Sequence, residues 1–271
     1  MPGTLYLIAT PIGNLEALSP RARGLLAKVA AIACQDTRHS RKLLEHFQIR
    51  TPLVSHYREN EAASATGLLA RLAAGEQIAL ITDAGAPLVS DPGARLVAQA
   101  VAAGVTVVPV PGASAVQAAL MASGLPPEAL EPWTFLGFLP ARAGERRRTL
   151  QAWAQPPTAL VFFEAPHRLR AALADMEEVW GPQRFLAVGR ELTKLHEEFV
   201  RGAVAGVRAH FDTHEPRGEF TLVAGPPPAT APAPPAADAA PASREELKEW
   251  ARRHGLSRSE AYRRWQQRGG N

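Results

Sequence analysis

The chain has one cysteine in 271 residues, so no intramolecular disulfide is possible, which favours a reducing compartment. Cys34 closes the apolar run VAAIAC at 29–34 and reads as a buried, inert thiol rather than a nucleophile. No lysine or arginine precedes Arg21, so the amino terminus lacks the charged start of a secretory signal. No apolar stretch reaches the roughly 18 residues of a membrane span, and the longest, 96–110, is a helix-then-strand pattern broken by Gly104. The expectation is a soluble cytoplasmic protein with no membrane association. Several chemical signatures are also missing. There is no G-K-[ST] loop, no G-x-G-x-x-G, no C-x-x-C and no H-E-x-x-H, which argues against a Walker site, a standard dinucleotide site and a metal centre. His210 and His214 are four apart, but the residues between and after them (Asp212, Thr213, Glu215, Pro216) read as a turn. PGASA at 111–115 lacks the second glycine of a nucleophile elbow, since position 116 is Val.

What is present is a globular composition, 46% hydrophobic, at a length that suggests two domains of about 150 residues or less. The net charge of +4 is unevenly placed. Eight Lys/Arg and four acids lie in 243–271, which leaves the first 242 residues neutral. An anionic partner for the tail and a merely solvated helical surface both fit this pattern. Between body and tail, residues 225–242 hold seven prolines and eight alanines, the composition of a semi-extended linker. The tail has two S-x-x-E capping boxes, Ser243/Glu246 and Ser257/Glu260, each followed by apolar residues at helical spacing. They predict two short helices with an aromatic seam.

The body alternates β-rich runs with amphipathic stretches. Strands are predicted at 5–9, 30–34, 78–82, 105–110, 134–137, 160–164, 185–188, 197–200 and 220–223, and helices at 20–29, 38–47, 61–74 and 92–103. The fold class is therefore α/β, built from βαβ units around a mostly parallel sheet. Beyond residue 185 strands dominate, which points to a second α/β domain with a mixed sheet. The expected domains are 1–112, 113–224, the linker 225–242 and the basic tail 243–271.

Turn-rich segments follow several of these strands, where open α/β sheets place ligands. ATPIGNL at 9–15 offers a glycine for close backbone approach with Thr10 and Asn14 as short polar arms. In QDTRHS at 35–40, Asp36 suits a helix N-cap, but three further polar residues leaving a buried strand suggest more than capping. TDAGAPLVSDPG at 82–93 is a rigid, backbone-exposing loop in which Asp91-Pro92 reads as N-cap and N1, whereas Asp83 has no structural reason to be there. Ser114 opens the next helix. EAPHR at 164–168 again puts charged groups where a strand becomes a helix.

ATPIGNL, DTRH, DAGAPLVSDPG, PGASA, EAPHR, RELTK and RGEFTLV, in this order over about residues 3–224, resemble the ribosomal small-subunit cytidine-2'-O-methyltransferases of the tetrapyrrole-methylase-like superfamily. The chain departs from that pattern at Gln35 (usually Glu), Thr82 (usually Ser) and Ala86 (usually Thr). The resemblance implies two α/β domains with S-adenosylmethionine in the cleft between them, a homodimer, and 16S rRNA or the small ribosomal subunit as partner. It implies cofactor loops at Thr82-Asp83-Ala84 and Ser114-Ala115, with Phe162 from the second domain. It places Thr10, Gly13, Asn14, Asp36, Arg38, His39, Glu164, His167 and Arg168 on the RNA side.

Methyl transfer to a ribose 2'-hydroxyl is an in-line displacement that needs positioning and a proton acceptor. Asp36, His39, Glu164 and His167 are the candidates, with His167 and Asp36 placed first. Because the body is neutral, Arg252, Arg253, Arg263 and Arg264 are expected to contact phosphate. Two other readings compete: a small-molecule methylase of the tetrapyrrole type, and a non-enzymatic RNA-binding protein.

Overall fold

Period-two alternation in short apolar runs gives each strand two faces to bury. A computed structural model describes residues 2–228 and, beyond them, only Lys248, Arg252 and Glu260. The tail helices predicted from the capping boxes, together with Arg253, Arg263 and Arg264, lie outside the described residues, as does the linker from 229 on. By contacts the chain divides into Met1–Pro227 and Pro228–Asn271, and both sheets belong to the first unit.

The first lobe runs β1 (Thr4–Ile8), a 3-10 turn (Leu15–Ala17), α1 (Pro20–Leu26), β2 (Ala31–Cys34), α2 (Thr37–His46), β3 (Leu53–Ser55), α3 (Glu61–Ala73), β4 (Ile78–Leu80), α4 (Ala94–Ala102) and β5 (Thr106–Val110). Its strands form a parallel sheet ordered β3-β2-β4-β1-β5. Ile8, Ile32 and Ile81 pack on one face with Leu26 and Leu43 of α1 and α2. Leu5, Ile78 and Leu80 pack on the other with Leu68 and Leu96 of α3 and α4. Because the strands are parallel, the loops after β1, β2, β4 and β5 all emerge at one edge. The edge strand β3 is not predicted, since three residues, two half-buried and one exposed, carry too little periodicity.

The second lobe runs α5 (Ala115–Met121), α6 (Pro127–Leu130), β6 (Trp133–Phe138), α7 (Ala143–Ala152), β7 (Ala159–Glu164), α8 (Pro166–Trp180), β8 (Phe185–Arg190), β9 (Glu198–Ala203), α9 (Val204–Thr213) and β10 (Phe220–Ala224). The sheet is mixed, ordered β6-β7-β10-β8-β9, with β6 and β7 parallel and the other pairs antiparallel. Leu160, Phe162, Val188 and Leu222 face the core under α7, α8 and α9. Val161, Ala187 and Val223 face the other way, with α5 and Ile12 of the first lobe. Register brings Glu164, Phe220 and Arg190 side by side at one end of this sheet.

Candidate active site

The loop after β4 is knotted to the loop after β1. Thr10 and Gly85 exchange backbone hydrogen bonds of 2.9 and 3.1 Å. Thr10 Oγ1 donates to the Thr82 carbonyl at 3.0 Å, and Thr82 Oγ1 donates to the Gly85 carbonyl at 3.2 Å. Leu88 and Ser90 in the same segment adopt positive φ of 73° and 69°, a conformation that β-carbon sterics disfavour and the surrounding packing must enforce. Asp83 is half-buried at the turn, and its Oδ1 accepts the Asp36 backbone N–H at 3.2 Å.

Two adjoining cavities open around this turn. The first, about 390 Å³, is bordered by Asp83–Ala86 and Val89–Asp91, by Ser114 and Ala115 at the start of α5, and by Phe138, Phe163, Glu164, Leu192 and Thr221 from the second lobe. The second, about 470 Å³, is bordered by Pro11–Gly13, Leu15, His39, Lys42, Lys194 and Glu219. Ile12, Asp83, Ala84 and Glu219 line both.

The lobes are pinned together beside the second cavity. Lys194 Nζ lies 2.8 Å from Glu191 Oε1 and 2.9 Å from Glu219 Oε2. A β-carbon on Gly218, at φ +86°, would fall 2.4 Å from Glu191 Oε1, so the RGEF turn requires glycine there. Gly13 lies against the Lys194 stem, and the Asn14 N–H donates to Thr193 Oγ1 at 3.2 Å.

Glu164 is buried. Its Oε1 accepts the Ala165 N–H at 2.9 Å, and Arg168 Nε lies 3.1 Å away without hydrogen-bond alignment. Its Oε2 has no partner, and neither does the buried Gln35 Oε1. Burial holds the Glu164 carboxyl above the ordinary carboxylate range, against the pull of the Ala165 N–H and of Arg168. Both orphaned acceptors belong to residues lining the first cavity, where a bound group with N–H donors would satisfy them.

Several predicted site residues are placed otherwise. Phe162 is 0% exposed and packs in the outer core with Trp180. Its strand neighbour Phe163 lines the cavity, because adjacent strand residues face opposite sides. Thr10 and Thr82 are buried struts whose hydroxyls are used within the loop knot, and neither lines these two cavities. The Asp36 carboxylate caps α2, accepting the Arg38 and His39 N–H groups at 2.8 and 3.3 Å. Those two bonds hold its pKa below the usual range, which makes it a poor proton acceptor. The Arg38 side chain is 91% exposed, His167 is exposed on the first turn of α8, and Arg168 donates through Nη2 to the Leu139 carbonyl. None of these four residues lines either cavity. Asn14 Oδ1 caps the 3-10 turn. Gly13 and His39 line the second cavity, Ser114, Ala115 and Glu164 the first, and Asp83 and Ala84 both. Arg252 is an exposed helical position.

Asp91 is the residue whose role changes most. The N-cap of α4 is Gly93, and the Gly93 and Arg95 N–H groups are satisfied instead by Glu61 Oε1 at 3.1 and 3.3 Å. Asp91 is left to face the first cavity. Burial, reinforced by the Asp83 charge and opposed by Arg58, pushes its pKa up to about 6. A folded-state pKa above the unfolded value contributes stability that is complete below the unfolded pKa and lost as pH rises through the folded one. Asp91→Asn should therefore be more stable than the parent chain by on the order of 2–3 kcal/mol at pH 7.5, with the gap roughly halved at pH 5. Urea unfolding of both proteins at the two pH values checks this, and a pH-independent gap would refute it.

Among the described residues, no group of three or more His, Cys, Asp and Glu is arranged to hold a metal ion. No helix there is long and apolar enough to cross a membrane.

A parallel-sheet lobe joined to a mixed-sheet lobe over such a cleft is the architecture of a class of methyltransferases. It is shared with uroporphyrin-III C-methyltransferase from Thermus thermophilus, solved with S-adenyl homocysteine (TM-score 0.59, 18% identity, 82% of this chain and 97% of that one). It is shared also with a diphthine synthase (TM-score 0.63, 11% identity, 83% and 90%). Residues 4–207 match the sequence profile of the tetrapyrrole (corrin/porphyrin) methylases. Relatives named ribosomal RNA small subunit methyltransferase I are 48% identical in Synechocystis sp. (82% of this chain, 78% of the relative) and 49% identical in Pseudomonas aeruginosa (82% and 79%). The Bacillus subtilis relative is 45% identical (82% and 74%). The chain belongs to the tetrapyrrole methylase family, in the branch these ribosomal RNA methyltransferases represent.

Proposed function

We propose that this methyltransferase acts on small-subunit (16S) ribosomal RNA, transferring a methyl group from S-adenosylmethionine to the 2'-hydroxyl of a cytidine. The observation that carries the reading is the pair of cavities meeting at Asp83 and Ala84. A donor site and an acceptor site must meet at the point of transfer, and holding the reactants there supplies much of the acceleration.

The first cavity suits the cofactor. Phe163, Val116 and Leu192 give it an apolar wall for a flat heterocycle. The unpartnered Glu164 Oε2 and Gln35 Oε1 match the amino groups such a molecule carries. Ser114, Ala115 and Ala84 would hold it together with these groups. When bound, the cofactor supplies an electrophilic methyl on a sulfonium. The second cavity, with His39, Lys42 and Lys194 on its border, suits an anionic, ribose-bearing substrate. In the tail, Arg252, Arg253, Arg263 and Arg264 are proposed as phosphate contacts. The resemblance to this family also supports a cytoplasmic homodimer, and light scattering of the purified chain tests the dimer.

Radiolabelled S-adenosylmethionine is incubated with undermethylated small subunits or their extracted RNA, and the RNA is digested to nucleosides. Label is expected in 2'-O-methylcytidine. Label in another nucleoside would overturn the assigned position, and none in RNA would return the chain to small-molecule methylation. In equilibrium RNA binding measured across salt concentrations, deleting residues 228–271 should weaken binding and reduce the slope of log affinity against log salt by about 3, for four lost single-strand phosphate contacts. An unchanged slope would remove the tail from RNA recognition.

A further inference from the structure

We propose that Asp83 is the catalytic proton acceptor, taking the proton of the attacking hydroxyl; this rests on the methyl-transfer reading above. An acceptor must reach the nucleophile at the point where it meets the methyl group, so it has to border both cavities. Four residues do, Ile12, Asp83, Ala84 and Glu219, of which two are ionisable. The Glu219 side chain is 75% exposed and already engaged by Lys194 Nζ at 2.9 Å. Asp83 is half-buried and, among the described residues, no cation lies in ion-pair range of it.

Its orientation is prepared by the fold. The Asp36 N–H engages Oδ1 and leaves Oδ2 open, and the Thr10–Gly85 knot fixes the backbone of the turn. The other acids and histidines near the cleft fail on position or commitment. Asp36 and His167 border neither cavity, His39 borders only the second, and Glu164 and Asp91 border only the first.

In the step, the ribose O–H bond breaks and its proton passes to Asp83 Oδ2. The oxygen lone pair forms the new O–CH3 bond as the S–CH3 bond breaks, and that bond's electron pair stays on sulfur. Carboxylate and sulfonium are thereby replaced by a carboxylic acid and a neutral thioether, and Asp83 then releases its proton to water.

The test is Asp83→Asn in the full-length chain, which keeps an oxygen for the Asp36 N–H and removes the basic group. Single-turnover methylation of small-subunit RNA should fall by about 10²–10⁴-fold, the usual contribution of a positioned acid or base. Calorimetric affinity for S-adenosylhomocysteine should change by less than about threefold, against the tenfold that 1.4 kcal/mol of lost contact would produce. Turnover within about tenfold of the parent overturns the proposal. So does a loss of turnover matched by an equal loss of S-adenosylhomocysteine affinity, which would make Asp83 a cofactor-holding residue. Asp83→Glu, which restores a carboxylate, should recover part of the lost rate, and no recovery over Asn with both variants folded counts against a basic role. If the parent chain itself labels no RNA, the methyl-transfer reading fails, a result distinct from an active Asp83→Asn.

Discussion

Asp175→Ala should lower the unfolding free energy by about 3–5 kcal/mol, the range for breaking one side of a buried ion pair. In a lobe pair of this size that is a drop in melting temperature of roughly 10 °C. Arg146 on α7 and Asp175 on α8 have side chains only 5% exposed, and Arg146 Nε donates to Asp175 Oδ2 at 2.6 Å. Arg147 Nε donates to the other carboxylate oxygen at 2.7 Å. The Ala141 carbonyl at 3.1 Å also accepts from Arg146, so the guanidinium is fully committed. Removing the carboxylate strands a buried cation and loosens the α7–α8 contact that shields the outer core. The double variant Arg146→Leu/Asp175→Leu should recover most of the loss, since well-packed apolar replacements of buried pairs are often neutral. Urea denaturation of the single and double variants checks both statements. Equal destabilisation in the two would show that packing, not charge, is at stake.

The second large effect separates neighbours on β7. Phe162→Ala should cost about 3–5 kcal/mol of stability, because the ring is enclosed by Leu160, Leu186, Leu222 and the α8 side chains of the outer core. Phe163→Ala should cost less stability and instead weaken S-adenosylhomocysteine binding about tenfold, or 1.4 kcal/mol. That ring borders the first cavity with Phe138, whose ring centroid is 5.4 Å away, and packs against Phe135 at 5.0 Å. Thermal unfolding together with calorimetric titration distinguishes the two roles. A binding defect in properly folded Phe162→Ala larger than that of Phe163→Ala would invert the assignment.

These two phenylalanines show where the sequence stops being legible. The run LVFFE at 160–164 announces a strand, and the period of two says that Phe162 and Phe163 face opposite sides. Which side is cleft and which is core depends on α7, α8 and α9 covering one face and the first lobe's Ile12 meeting the other. That choice is made by contacts distant in sequence. Asp91 is a second case. Asp-Pro before a helix satisfies the local rule for an N-cap, but Glu61, 32 residues earlier than Gly93, reaches across and takes the capping bonds. Asp36 went the opposite way: the capping role open to it in the sequence is the one its carboxylate fills, and it borders neither cavity.

What the sequence determined by itself was the order of nine of the ten strands and the helices of the first lobe; β3, α6, α7 and α9 left no such signal. Strand alternation, helix spacing, Asp36 as a cap, and glycines at the turns act between residues at most four apart, so they can be read without knowing the fold. The ordered motifs at strand ends likewise pointed to a methyltransferase. Only the tertiary structure decided which of those motif residues face a cavity, which serve as struts, and that Asp83 stands where two cavities meet. The reason is physical: a side chain's role at a cleft follows from the register of β7, β10 and β8 and from the packing of one lobe on the other. Those interactions link strands well separated in sequence within the second sheet and Ile12 with residues of the other lobe far along the chain, and no local pattern records them.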